Sequence, residues 1–192
     1  MRLVSVLTAS LFHRLSAACG DIVEEIRGEP LPVVEGALES FDAAEVKAAE
    51  GLPDDDAVER WASERSGGRP FLVTNLEREA YDCRDPETGR FLNYDLVCPP
   101  AGDNSHPVEC LSGAERTRSL TDLRIRMRDL EYPMDYFEPF FELYESLDEG
   151  RGAIRCAGGG FGVERLTFAL LGLRDIHEVY PFPRTAEGGI GI

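Results

Sequence analysis

The chain has 192 residues, 43% of them hydrophobic, enough for one domain with a sizeable core. Acidic residues number 36 against 20 basic ones, for a net charge of −16. So acidic a chain gains no nonspecific attraction to nucleic acid, and an RNA partner would need a local arginine patch or a further domain.

In chain order, Val4, Leu7, Leu11, Leu15, Cys19, Ile22 and Ile26 recur at steps of three or four, predicting an amphipathic helix ended by Gly28. His13 and Arg14 interrupt the apolar run that a secretory signal would need, and no stretch approaches a membrane span. Residues 29–69 predict two short helices with Asp42 and Asp54 as N-caps, closed by the loop "SGGRP". "PFLVTNL" and "FLNYDLVC" read as strands of an antiparallel hairpin around the turn "RDPETGR". "PPAGDNSHP" (99–107) is a loop, and "VECLSGAER" begins the next strand. Leu120, Leu123, Met127 and Leu130 mark a helix, followed by the aromatic segment Phe137, Phe140, Phe141 and Tyr144. A glycine-rich strand and a helix with Val163, Leu166, Leu170 and Leu173 on one face complete an α+β chain: an antiparallel sheet flanked by helices. Gly172 is the expected stop of that helix.

Cys19, Cys83, Cys98, Cys110 and Cys156 fall at irregular gaps without C-x-x-C, and His13, His106 and His177 are scattered. Neither a disulfide framework nor a zinc site is indicated, and a reducing cytoplasm fits best.

Gly158, Gly160 and Gly162 alternate directly before Glu164 and Arg165. In a strand, residues two apart share a face, so these three glycines are expected to make one face bare backbone where a flat or bulky group can approach. Neither the dinucleotide fingerprint nor a Walker A loop is met, because Val163 and Arg165 stand where glycines would be needed and no lysine is near. A base on the bare strand, Arg165 stacked over it and phosphate at the helix N-terminus form one reading. Tight helix–sheet packing is the other, and local sequence alone leaves the two even.

"GGGFGVER" with "LTFALLGLRDIHEVYPFPR" resembles motif 3 of class II aminoacyl-tRNA synthetases, G-x-G-x-G-x-E-R, and the continuation resembles the aspartyl, asparaginyl and lysyl branch. The resemblance implies a sheet that binds bent ATP, with Arg165 packing on adenine and reaching the terminal phosphate, and Gly158, Gly160 and Gly162 beneath the nucleotide. "VECLSGAER" is similar to the family strand E-x-x-S-G-A-x-R, which implies that Glu109 and Ser112 help hold Mg²⁺ on ATP. By the same resemblance Asp95 is a further metal-linked aspartate. Arg116 is the arginine that contacts a side-chain carboxylate or amide, and Tyr81 matches an aromatic of the amino-acid pocket. An Asp- or Asn-like substrate is therefore expected. Leu76 and Glu77 replace the family's Tyr-Pro pair, the 99–107 loop is longer than usual, and Cys156 stands where many members have histidine.

The resemblance covers one partial catalytic domain, residues 1–192, with 99–107 as an inserted loop. It covers the second half of the family domain: no F-R-x-E pattern of motif 2, no motif 1 and no anticodon-binding barrel are recognised. The expectation is an ATP-dependent ligase that makes an aminoacyl adenylate and is incomplete as this sequence stands, cytoplasmic, and a homodimer where the full domain exists. The alternatives are a stand-alone relative that amidates its amino acid, a noncatalytic ATP-binding or regulatory half-domain, and a decayed fragment without function.

Overall fold

The computed structural model describes residues 2–31, 34, 36–102, 104–148 and 155–180. The "PFPR" segment from Pro181 to Arg184 lies outside them. The described elements run α1 (Arg2–Arg27), β1 (Ser40–Asp42), α2 (Ala43–Glu50), α3 (Asp55–Arg65), β2 (Phe71–Thr74), β3 (Asn93–Cys98), β4 (Val108–Glu115), α4 (Leu120–Asp129), α5 (Glu138–Asp148), β5 (Ala157–Phe161) and α6 (Val163–Leu171). Short 3₁₀ turns at Met134–Phe137 and Ile176–Val179 precede α5 and follow α6.

The sheet has the order β1-β2-β3-β4-β5. Strands β2 to β5 are antiparallel neighbours, as the sequence predicts, while the three-residue β1 joins the edge parallel to β2. This edge strand corrects the purely antiparallel expectation. β1 is too short to carry a period-2 pattern, and it leads directly into α2, whose N-cap Asp42 accepts from the Glu45 N–H at 2.9 Å. Asp54 caps α3 in the same way through the Ala57 N–H, at 2.8 Å.

The sheet separates two cores. On one face Leu72, Leu96, Cys98 and Cys110 pack with Phe12 and Val23 of α1 and with Leu166, Ala169 and Leu170 of α6. On the other face, toward β1, Phe71, Val73 and Val97 pack with Ala43 of α2 and with Val58 and Ala62 of α3. A third cluster joins Leu123 and Met127 of α4 to Phe141 of α5 and Ala80.

Two periodicity readings shift. α1 breaks its helical backbone at Cys19 (φ −143°), and beyond that point Val23 faces the core while Ile22 and Ile26 are 61% and 53% exposed. A single amphipathic stripe cannot be carried through such a kink, because the face rotates there. In α6, Leu166 and Leu170 are buried as expected but Val163 is exposed. Gly172 ends α6 in the left-handed region at φ 62°, as predicted.

Candidate functional site: a charged cleft over β3, β4 and β5

The connection between β2 and β3 is a long excursion through residues 75–92, not a tight hairpin. It starts at Asn75, whose φ of 58° asparagine tolerates better than most residues. The Asn75 Oδ1 accepts from the Phe91 N–H at 2.8 Å, and its Nδ2 donates to Asp42 at 3.0 Å, so both ends of the excursion are tied together. The "RDPETGR" turn closes only a local bridge between Arg84 and Phe91.

A three-residue spacing puts Glu109 and Ser112 on opposite faces of a regular strand. Here they share one face. Leu96 pairs with Leu111 and Val97 with Glu109, so Cys110 is an extra residue, a β-bulge that restores the alternation. Asp95 pairs directly with Ser112, and Ser112 with Gly160. Asp95, Glu109, Ser112, Gly160 and Gly158 therefore lie on the same face of β3, β4 and β5. The bulge also docks α6, because the Gly162 N–H donates to the Cys110 carbonyl at 2.9 Å. Gly162 offers no capping side chain, and Arg165 in the first turn reaches back to Glu109, Nη1 to Oε1, at 3.2 Å.

Arg78, Tyr81, Asp82, Glu109, Ser112, Arg116 and Gly160 line a cleft of about 350 Å³. A larger hollow of about 740 Å³ lies beside Phe91, Tyr94 and Gly159. There Arg90 is engaged by Asp42 and Glu45, and Arg155 by Glu115. Size therefore does not mark the site; convergence of charged groups does.

Within the cleft the Arg116 guanidinium lies 4.2 Å over the Tyr81 ring, with Nη1 3.3 Å from Asp82 Oδ1. Asp82, only 1% exposed, also accepts from Arg78 Nε at 3.3 Å and Asn93 Nδ2 at 2.7 Å. Arg78 further pairs with Asp95 and donates to the Gly113 carbonyl at 3.2 Å. Burial pushes the Asp95 carboxyl upward, and it outweighs the opposing effect of Arg78. On the same side of the sheet, Glu59 of α3 is raised to about 7, first by burial and then by the nearby charges of Asp95 and Glu109.

The structure thus brings Tyr81, Asp95, Glu109, Ser112, Arg116, Gly158, Gly160 and Arg165 to one region. Gly162 stands apart from the bare face: a Cβ there would meet the Arg165 side chain at 3.3 Å. Sequence reading missed Arg78, Asp82 and Glu59. Arg78 and Asp82 stand beside Tyr81 in the same irregular segment, but nothing in that segment's local pattern shows which charges turn inward.

Among the described residues no three His, Cys, Asp or Glu side chains form a self-sufficient metal site. The oxygen-only set of Asp95, Glu109 and Ser112 fits Mg²⁺, which is usually held by one or two carboxylates together with substrate phosphates.

A mixed sheet with helices on both faces, and at the edge of its described strands an alternating-glycine strand feeding a helix, defines a class II synthetase-like catalytic fold. The family profile for tRNA synthetases class II (D, K and N) matches residues 60–186, and the chain belongs to that family. An asparagine–tRNA ligase of Nitratidesulfovibrio vulgaris is 29% identical over 155 residues, covering 79% of this chain and 31% of the relative. That of Pelobacter propionicus is 32% identical over 138 residues, 70% of this chain and 28% of its own length. The asparaginyl-tRNA synthetase from Pyrococcus horikoshii complexed with asparaginyl-adenylate shares the fold with a TM-score of 0.73 at 22% identity, over 96% of this chain and 43% of that one. An aspartyl-tRNA synthetase from Entamoeba histolytica matches at 0.69 and 18% identity, over 98% and 40%. The chain thus spans about three tenths of the length of these curated relatives.

Proposed function

We propose that this chain is part of an ATP-dependent ligase that activates asparagine as its adenylate, the first half of tRNA aminoacylation. One observation carries the reading. The bulge at Cys110 turns the Glu109 side chain to the same face as Ser112, the face that Asp95, Gly158 and Gly160 share, and Arg116 and Tyr81 line the same cleft as Glu109, Ser112 and Gly160.

ATP lies on the glycine strand, with Arg165 over its base and the start of α6 toward phosphate. Glu109, Ser112 and Asp95 would hold Mg²⁺ beside the phosphates, where the ion would supply charge neutralisation. Arg116, stacked on Tyr81, donates to the side-chain oxygen of the amino acid. Arg116 and Arg78 are both already balanced by Asp82 and Asp95, so a neutral amide fits this charge arrangement better than a second carboxylate. The names of the relatives point the same way.

The active assembly is a cytoplasmic homodimer of a longer chain. No helix among the described residues is long and apolar enough to cross a membrane. A second reading, a stand-alone amidating or ATP-binding relative without tRNA, is favoured by the net charge of −16, which does not attract RNA.

Asparagine-dependent exchange of pyrophosphate into ATP, with the protein purified from its source cells and its intact mass determined, tests the proposal. Exchange with asparagine and not aspartate supports it. The absence of exchange from a protein well above 21.3 kDa overturns it. Exchange without subsequent charging of tRNA selects the second reading.

A further inference from the structure

The turn that carries the recognition groups is held from outside the cleft. From within the sheet, Asn93 accepts from the Leu76 N–H at 2.8 Å and donates to the Leu76 carbonyl and the Asp82 carboxylate, each at 2.7 Å. From the far side comes Arg126 of α4. Its Nη1 donates to the Asp82 carbonyl and its Nη2 to the Glu79 carbonyl, both at 2.7 Å. The Glu79 carbonyl also accepts from the Asp82 N–H at 3.2 Å, so the planar fork closes a turn that already exists. The guanidinium lies 4.6 Å over the Phe91 ring, and the Tyr132 hydroxyl donates to Glu79 Oε2 at 2.8 Å.

We propose that Arg126 is a positioning residue for amino-acid recognition: by gripping the Glu79 and Asp82 carbonyls it fixes where Tyr81 and Asp82 place the guanidinium of Arg116. This rests on the asparagine-activating reading. The chain of contacts is short. Tyr81 lies under Arg116, Asp82 pairs with both Arg116 and Arg78, and both residues belong to the turn that Arg126 spans. The base of Arg126 is itself fixed, because Leu123 and Met127 of α4 pack with Ala80 of the same turn. The helices between β4 and β5 line none of the cleft, yet Arg126 ties them by hydrogen bonds to the turn that does. A displacement of about 1 Å at such a turn is enough to spoil the alignment of a bidentate donor.

Three variants of the full-length protein separate this role from general packing. R126M removes the fork, R126K keeps the charge and can reach one carbonyl, and R124M is the control. Arg124 also stands on α4, pairs with Glu138 and Glu145 and lies over Phe141, but makes no bond to residues 76–83. Asparagine and ATP affinities are measured separately by calorimetric titration, and amide exchange is followed at Asp82 and Cys83. R126M is expected to weaken asparagine binding about tenfold or more, leave ATP within about twofold and speed exchange at Asp82. R126K should recover part of the loss, and R124M should change neither affinity. Unchanged asparagine affinity in R126M, or equal losses in R126M and R124M, would overturn the proposal. A wild type that binds ATP but no asparagine would overturn the proposed substrate instead. Exchange at Asp82 in R126M would still decide whether the guanidinium holds the turn.

Discussion

Arg165 and Glu109 face each other across 3.2 Å at the rim of the cleft, so the guanidinium assigned to the base and the carboxylate assigned to the phosphate-bound cation neutralise one another in the free protein. Both side chains are substantially exposed, at 53% and 36%, and an ion pair of that kind contributes only about 0–1 kcal/mol to stability.

Glu109→Gln should therefore leave the melting temperature nearly unchanged. It should remove the Mg²⁺ dependence of ATP binding and slow adenylate formation by about 10²-fold, the usual loss when one preorganised electrostatic group is deleted. Nucleotide titrations with and without Mg²⁺, beside a thermal melt, check this. A large fall in melting temperature would mean that the pair is structural.

The glycines of β5 divide by what a methyl group would meet. At Gly160 a Cβ meets nothing within 4 Å, whereas at Gly159 it comes to 2.9 Å from the Ser112 carbonyl oxygen. Gly159→Ala should destabilise the domain by about 1–3 kcal/mol through overpacking. Gly160→Ala should fold normally and weaken ATP by about tenfold, or roughly 1.4 kcal/mol. Paired melting curves and nucleotide titrations distinguish the two. Equal loss of stability at both positions would remove the case for Gly160 as a nucleotide-facing residue.

Asp82 balances two arginines, so Asp82→Asn leaves Arg116 and Arg78 with one negative charge fewer between them. The variant should bind aspartate better relative to asparagine, by about tenfold. Competition between the two amino acids in calorimetric titration reads the ratio directly; no change in preference would show that charge balance is not what selects the substrate.

Glu59 supplies a pH test. Its native carboxyl is raised to about 7 from an ordinary value of 4.5, chiefly by burial. The native state thus binds this proton more tightly than the unfolded state does. The linked contribution is fully favourable below about 4.5, is lost as pH rises toward 7 and is flat above that. Its full span is on the order of 3 kcal/mol. Glu59→Gln should gain on the wild type progressively across that window, seen as a widening difference in denaturant midpoints measured from pH 4.5 to 8. A constant difference would place the carboxyl in water.

Much of the fold is written locally. Asp42 and Asp54 cap the helices expected of them, Gly172 stops α6 with a left-handed backbone, and β2, β3 and β4 fall on the runs that read as strands. Capping, left-handed termini and hydrophobic alternation each depend on a few neighbouring residues, so they can be read without the rest of the chain. β1 and the kink at Cys19 escape that reading. The first is a pairing between distant segments, and the second rotates a helical face within an otherwise unbroken pattern.

The candidate site divides in the same way. The residue types and spacings of the glycine strand and of Glu109 and Ser112 are visible in the sequence, and so is their likeness to a known family. That Glu109 and Ser112 face the same way depends on one extra residue, Cys110, opposite the step from Leu96 to Val97, and a bulge exists only between two paired strands. That Asp82 sits between two arginines, and that Arg126 grips its carbonyl from 44 residues away, depends on irregular backbone held by long-range hydrogen bonds. The sequence by itself determined which chemical groups this protein carries and most of the segments that hold them. Tertiary structure alone decided which groups share a face and which charges cancel, because register, bulges and loop excursions are set by contacts between segments far apart along the chain.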